Sequence, residues 1–239
     1  MSSGFPRQTL PAHPHDRRFA ALPAVVSPRL LVFAGVLMFV LYIFMDVIAS
    51  LAYDGYSYKD QTISELSAVG APTRTFWLTA SVFYQVLSWA FAIGVLAIAG
   101  ERRKLRIVGW LLVIFASSGL LWWFGPMHQR EVLAADGGDW RDTLHLVTGG
   151  ISSIIFFTMI GIGAFIFGWR FRLYSFMTIG LMLVFGMLMN MDVSDVADDK
   201  ATPWLGIYER IAIEGAMLWQ AVFAAALLWT TRNRRAPER

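Results

Sequence analysis

Six apolar runs of roughly twenty residues each take up most of this chain, at about 29–52, 76–99, 106–124, 143–168, 173–191 and 206–231. A run of that length is what a helix needs to cross a hydrocarbon core of about 30 Å. The pattern lacks the strand-length alternation of a closed barrel. It therefore predicts an all-α fold, a bundle of six transmembrane helices. Only 15% of residues are charged and 56% are hydrophobic, whereas soluble domains carry about a quarter charged residues.

The charges between the runs are sorted by sign. Arg7, Arg17, Arg18 and Arg29 precede the first run, and Glu101-Arg102-Arg103-Lys104-Leu105-Arg106 joins the second to the third. Arg170 and Arg172 lie between the fourth and fifth, and Arg232, Arg234, Arg235 and Arg239 follow the sixth. If six helices alternate, these four segments share one side. The other side carries Asp54, Asp60, Glu65, Glu131, Asp136, Asp139, Asp142, Asp195, Asp198 and Asp199, with fewer basic residues. The positive-inside rule then predicts cytoplasmic N and C termini. The loops at about 53–75, 125–142 and 192–205 face outward in that arrangement. Clusters that flank apolar runs explain the net charge of +3 by topology, not by nucleic-acid binding.

Domain organisation follows: a disordered cytoplasmic tail over 1–27, a six-helix transmembrane domain over 28–232 and a basic tail over 233–239. The first run is too long for a signal-peptide core, so it reads as a retained anchor. The absence of cysteine excludes disulfides, thiolate catalysis, iron–sulfur clusters and Cys-type zinc sites. No internal repeat supports transporter logic.

The ionisable residues in or near the spans gather toward the outward side. Asp46 lies near the outer end of the first span, Gln61, Ser64 and Glu65 in the first outer loop, and His128 after Gly125-Pro126. Asp142 and His145 open the fourth span, Asn190 and Asp192 close the fifth, and Glu209, Arg210 and Glu214 start the sixth. Polar groups at membrane depth are costly and face a bundle interior or water. This predicts one outward-open polar cavity above a greasy inner half.

Each candidate has a structural and a chemical reading. His128 and His145 read as a metal site or an acid–base pair with Asp142, Asp192 or Glu209 as partner, and His128, His145 and Asp192 are the metal-ligand candidates for a divalent ion such as zinc; the structural reading is two interfacial histidines bonded to loops. Asp142 is one helical turn before His145 and is equally a helix N-cap. Arg210 and Glu214 are spaced i,i+4, which fits an internal ion pair; the chemical reading uses Arg210 to hold an anionic substrate group. Glu65, Glu209 and Glu214 are the acid–base candidates, and Asp46, Ser64 and Trp123 join Arg210 as substrate-binding candidates. Ser64 has no histidine near it in sequence and no nucleophile-elbow pattern around it, which argues against a serine hydrolase. Trp77, Trp122, Trp123, Trp140 and Trp204 fit an interfacial aromatic belt, or else an aromatic-lined lipid pocket.

Three segments carry a family likeness. Gln61-Thr62-Ile63-Ser64-Glu65-Leu66, with Gly70-Ala71-Pro72 after it, resembles the ISEL…GAP signature of the integral-membrane family numbered 998 among domains of unknown function. Phe124-Gly125-Pro126-Met127-His128 with Asp142-Thr143-Leu144-His145, and Gly206-Ile207-Tyr208-Glu209-Arg210 with Trp219, are similar to its later motifs. The likeness spans roughly residues 30–231. It implies a multi-span prokaryotic membrane protein and brings no activity. Three functions follow as expectations. The first is a protein of the prokaryotic cytoplasmic membrane that binds a lipid or small molecule in an outward cavity, in contact with membrane lipids. The second is a metal-assisted hydrolase or transferase acting on a lipid-borne group, and the third a proton-coupled transporter. A homo-oligomer is compatible with all three.

Overall fold

In hydrocarbon no water can serve the backbone, so a spanning segment must satisfy its own N–H and C=O groups. The computed structural model describes residues 26–233, and the expected tails at 1–27 and 233–239 lie almost wholly outside them. The described chain forms helices α1 (Pro28–Ala52), α2 (Arg74–Ala99), α3 (Arg103–Ser118), α4 (Leu121–Phe124), α5 (Arg130–Asp136), α6 (Trp140–Gly163), α7 (Trp169–Met191), α8 (Val193–Ala197) and α9 (Leu205–Asn233). One 3₁₀ turn, η1 (Ile63–Ser67), precedes α2. Six units are long and apolar enough to cross a membrane: α1, α2, α6, α7, α9 and α3 together with α4. Among the described residues there is no strand, only an isolated bridge between Val69 and His128.

The long helices pack in chain order, α1 on α2, α2 on α3, α3 on α6, α6 on α7, α7 on α9, and α9 returns to α1. The six spans thus close a ring. Arg29 at the start of α1 donates to the Thr231 carbonyl near the end of α9 at 2.6 Å, so both ends of the described chain leave by one face. That face is the terminal face here; the opposite one, with the three longer connections, is the loop face.

Each helix separates a packed stripe from an apolar outer stripe. On α1, Val32, Ala34, Met38, Met45 and Ala49 are buried, while Leu30, Phe33, Leu37, Val40, Phe44, Ile48 and Leu51 are exposed at i, i+3 and i+4 spacing. A helix that is apolar all round belongs in lipid. Small residues set the close crossings. A Cβ on Gly94 would sit 2.6 Å from the Val32 nitrogen, and one on Gly35 would sit 2.8 Å from the Phe91 ring. The interior of the ring is rich in aromatic contacts: Phe115 meets Phe156 at 4.9 Å and Trp219 stacks on Phe223 at 5.1 Å between centroids.

The expected spans differ from the helices at one join. The fourth run was expected to reach residue 168, but α6 stops at Gly163 and α7 begins at Trp169. Residues 164–168 form a turn in which Phe167 packs on Phe171 and Phe223. Hydropathy cannot separate an apolar, aromatic turn from a span. The third span also bends at Gly119-Leu120, between α3 and α4.

Candidate functional site

The loop face is organised around η1. Three residues per turn give a 3₁₀ helix three faces, and each face of η1 has its own partner. Ile63 and Leu66 are buried against Ala49, Tyr53 and Trp77. Glu65 points to α5, and Ser64 points to α6. The turn starts with a capping box: Thr62 accepts from the Glu65 backbone N–H, and the Glu65 carboxylate accepts from the Thr62 N–H at 2.6 Å. Glu209 on α9 accepts from the Ile63 N–H, which satisfies another of the N–H groups left over at the turn's start. Tyr56 donates to the Gln61 and Thr62 carbonyls, and Thr73 to the Leu66 carbonyl at 2.7 Å. Burial raises the Tyr56 phenol well above its usual value, against the opposing charge of Arg210, so Tyr56 remains a neutral donor.

Two buried ion pairs hold this face together. Arg130 forks onto Glu65, Nε to Oε1 at 2.6 Å and Nη2 to Oε2 at 2.9 Å. The same guanidinium reaches Thr202 Oγ1 at 2.8 Å and the Lys200 and Asp60 carbonyls. One side chain therefore ties together the loops near residues 60, 130 and 200. Burial alone would raise the Glu65 carboxyl, but the bonds and charge of Arg130 outweigh it and hold Glu65 below the usual carboxylate range. Arg210 makes the second pair, bidentate to Asp46 at 2.9 and 2.8 Å, with side-chain exposures of 4% and 0%. Its other N–H groups go to Tyr58, Gln61 and Gly206 carbonyls and to Tyr56, and its plane lies 3.6 Å from the Tyr58 ring centroid. All five guanidinium N–H groups thus have acceptors within the protein.

Sequence-local pairing is corrected here. Arg210 does not pair with Glu214, its i,i+4 neighbour; it turns to Asp46 on α1. Glu214 Oε1 is buried with no hydrogen-bond partner, about 13 Å along α9 from Leu205. Glu214 and Asp46 are close enough to interact electrostatically. On α6, Thr148 and Ser152 share the face of His145, and their hydroxyls are likewise buried without partners. Other helical hydroxyls, such as Ser153 and Thr158, bond to their own helix carbonyls.

The histidines stand apart from each other chemically. His128 Nδ1 meets Asp142 Oδ2 at 2.8 Å, and Asp142 Oδ1 accepts from the His128 backbone N–H. His145 places Nδ1 at 3.0 Å from the Gly125 carbonyl and Nε2 at 3.0 Å from Ser64 Oγ. Asp192 joins α7 to α8 as a cap. The expected metal set of His128, His145 and Asp192 does not come together. Among the described residues, the group with ligand atoms close enough to share an ion is His128, Asp139 and Asp142. Those carboxylates are already engaged in the capping box that opens α6 and in the Asp139–Arg141 bridge. Trp123 lies exposed on α4, whereas Trp122 meets the His145 ring edge-on at 4.6 Å.

Gly206 is needed where these systems meet. A Cβ there would sit 2.3 Å from the Gln61 carbonyl oxygen and 2.5 Å from that of Tyr58. Both are backbone acceptors of Arg210, so neither can move alone. Gly206→Ala is expected to lower stability by about 1–3 kcal/mol, as overpacking does, read as an earlier thermal transition of the detergent-solubilised protein.

The motif segments 61–72, 124–145 and 206–210 are the segments that meet at this face, while Trp219 of the last motif lies deeper in the ring and donates to Ser175. A family of proteins of unknown function, DUF998, matches residues 23–226. The chain belongs to the DUF998 family. No curated protein and no solved structure matches it. Membership brings no activity, so the chemistry has to be read from the side chains. Arg130, which the sequence did not single out, is the main residue of this face that was missed. Its signal was a cation placed among the acidic residues of the loop face.

Proposed function

We propose that this DUF998 protein lies in a prokaryotic cytoplasmic membrane with both termini cytoplasmic, and that its outward loop face binds a polar molecule, either a lipid headgroup or a small solute. The observation that carries this reading is a cleft of about 290 Å³ on that face, lined in part by Tyr53, Gln61, Gln129, Arg130, Glu131 and Asp199. A binding site needs a firm floor and free polar groups above it. The Glu65–Arg130 fork supplies the floor and Arg130 has no N–H left to give. The rim offers both signs of charge in Glu131, Asp199 and Lys200 together with the Gln129 amide, which suits a zwitterionic or polar ligand better than a simple anion. The sorting of Arg and Lys onto the terminal face supports the orientation.

Native mass spectrometry of protein extracted in mild detergent tests the reading. The expected result is a retained molecule of defined mass, reduced at least tenfold in occupancy by the double variant Gln129→Ala/Glu131→Ala, whose side chains take no part in either buried pair. Protein that carries nothing, and whose thermal transition is unmoved by total polar lipid extract or a panel of polar solutes, would refute it. A C-terminal phosphatase fusion active outside the cell would refute the orientation.

A further inference from the structure

Ser64 belongs to neither buried ion pair and does not line the cleft, yet it is held with a histidine in a specific geometry. A carbonyl oxygen only accepts, so the contact with Gly125 puts the hydrogen of His145 on Nδ1. Nε2 then presents its lone pair to the Ser64 hydroxyl at 3.0 Å. This is the relation of a nucleophile to a base that is itself oriented by a third group. The third group is placed by backbone need: a Cβ on Gly125 would meet Leu144 Cγ at 2.9 Å and the His145 nitrogen at 3.1 Å. Only glycine brings this carbonyl so close to the start of α6. The two loops are also fastened directly to each other, since Val69 donates to the Met127 carbonyl at 2.8 Å.

The surroundings indicate a substrate. Next to His145, Leu146 and Val147 are exposed on the apolar side of α6, with Phe124 exposed nearby at the end of α4. Ser67, one 3₁₀ turn after Ser64 and on the same face, gives its carbonyl to Arg74 Nη1 from the start of α2. Arg141 lies within electrostatic range of Arg74. Among the described residues no carboxylate bridges Arg74, whereas Arg141 is bridged by Asp139. Asp142, the acidic group on the same face of α6, is occupied by His128 and the Asp139 N–H. A half-buried cation at the start of α2, in electrostatic range of the start of α6 with its exposed apolar residues, fits an ester lipid with an anionic headgroup.

We propose that Ser64 and His145 form a nucleophile–base pair that takes an acyl group from an ester of an anionic membrane lipid, with Arg74 as the residue that positions the headgroup. Ser64 Oγ bonds to the ester carbonyl carbon as His145 Nε2 takes its proton. The bond from that carbon to the lipid oxygen breaks, and the leaving alcohol takes the proton from His145. Water then attacks the acyl-Ser64, with His145 again accepting and returning a proton, which releases a fatty acid and restores the serine. This site is on a different face of η1 from the cleft and stands or falls apart from it.

A long-chain alkyl fluorophosphonate, applied to the full chain in detergent and in vesicles, reads the pair directly. Labelling is expected at Ser64, located by peptide mass spectrometry, absent in Ser64→Ala, at least tenfold slower in His145→Gln and unchanged in Ser67→Ala. Thermal transitions of each variant separate loss of folding from loss of reactivity. In vesicles of ester-linked phosphatidylglycerol, fatty acid release is expected, absent with the ether-linked analogue; Arg74→Gln should remove the preference over phosphatidylcholine. No label on Ser64 in folded wild-type protein, or labelling undiminished in a folded His145→Gln variant, would overturn the proposal. Release of fatty acid that persists in Ser64→Ala would overturn it equally.

Discussion

Arg210→Met is expected to be the most damaging conservative-volume substitution in this protein, costing about 3–5 kcal/mol. The cost does not come from the attraction of the pair as such. It comes from Asp46, which is fully buried and would be left with an uncompensated charge in the upper part of the ring. Tyr56 and the carbonyls of Tyr58, Gln61 and Gly206 would lose their donor at the same time, and a buried acceptor without a partner is expensive. The thermal transition, followed by tryptophan fluorescence in detergent, should fall by on the order of 10 °C. The informative control is Asp46→Leu/Arg210→Met. Removing both charges should recover most of the loss, because a buried pair is often replaceable by apolar residues. If the double variant is as unstable as the single, the pair does more than neutralise charge, and the orphaned carbonyls dominate.

Arg130→Met is the second large effect, also about 3–5 kcal/mol by the same reasoning, but with a pH signature. The Glu65 carboxyl titrates below its ordinary range in the folded protein, with burial opposing and Arg130 favouring the charged form. Its contribution to stability is therefore complete above the unfolded-state value of about 4.3. It fades as pH falls through the lower folded-state value, where the native carboxylate is finally protonated. The wild-type transition should drop in that acid window, and the drop attributable to this pair should vanish in Glu65→Leu/Arg130→Met. Arg130 also ties three loops together, so proteolysis within residues 125–142 or 192–204 is expected to quicken in Arg130→Met even where the ring of helices stays intact.

These two substitutions mark the boundary of what the sequence could tell. Asp46 and Arg210 were each visible as charged residues inside apolar runs, and so was the side of the membrane they share. Their partnership was not, because they are 164 positions apart and the only pairing a linear reading can propose within a helix is local, Arg210 with Glu214. The same limit hid Arg130 from Glu65, 65 positions away, and His145 from Ser64, 81 positions away. Ser64 looked unpromising as a nucleophile because no histidine stood near it along the chain. The ring brings one to 3.0 Å.

The solvent and the architecture were legible along the chain: apolar runs of bilayer length, clusters of arginine sorted to one side, and motif segments in the loops of the other. These are properties of single segments, because hydropathy and helix length are set residue by residue against lipid and water. Which side chains meet is set by the folded ring. Closing α9 back onto α1 and folding η1 between α2, α5, α6 and α9 joins groups from distant parts of the chain, and those pairings depend on the packing of the ring, which no single segment encodes.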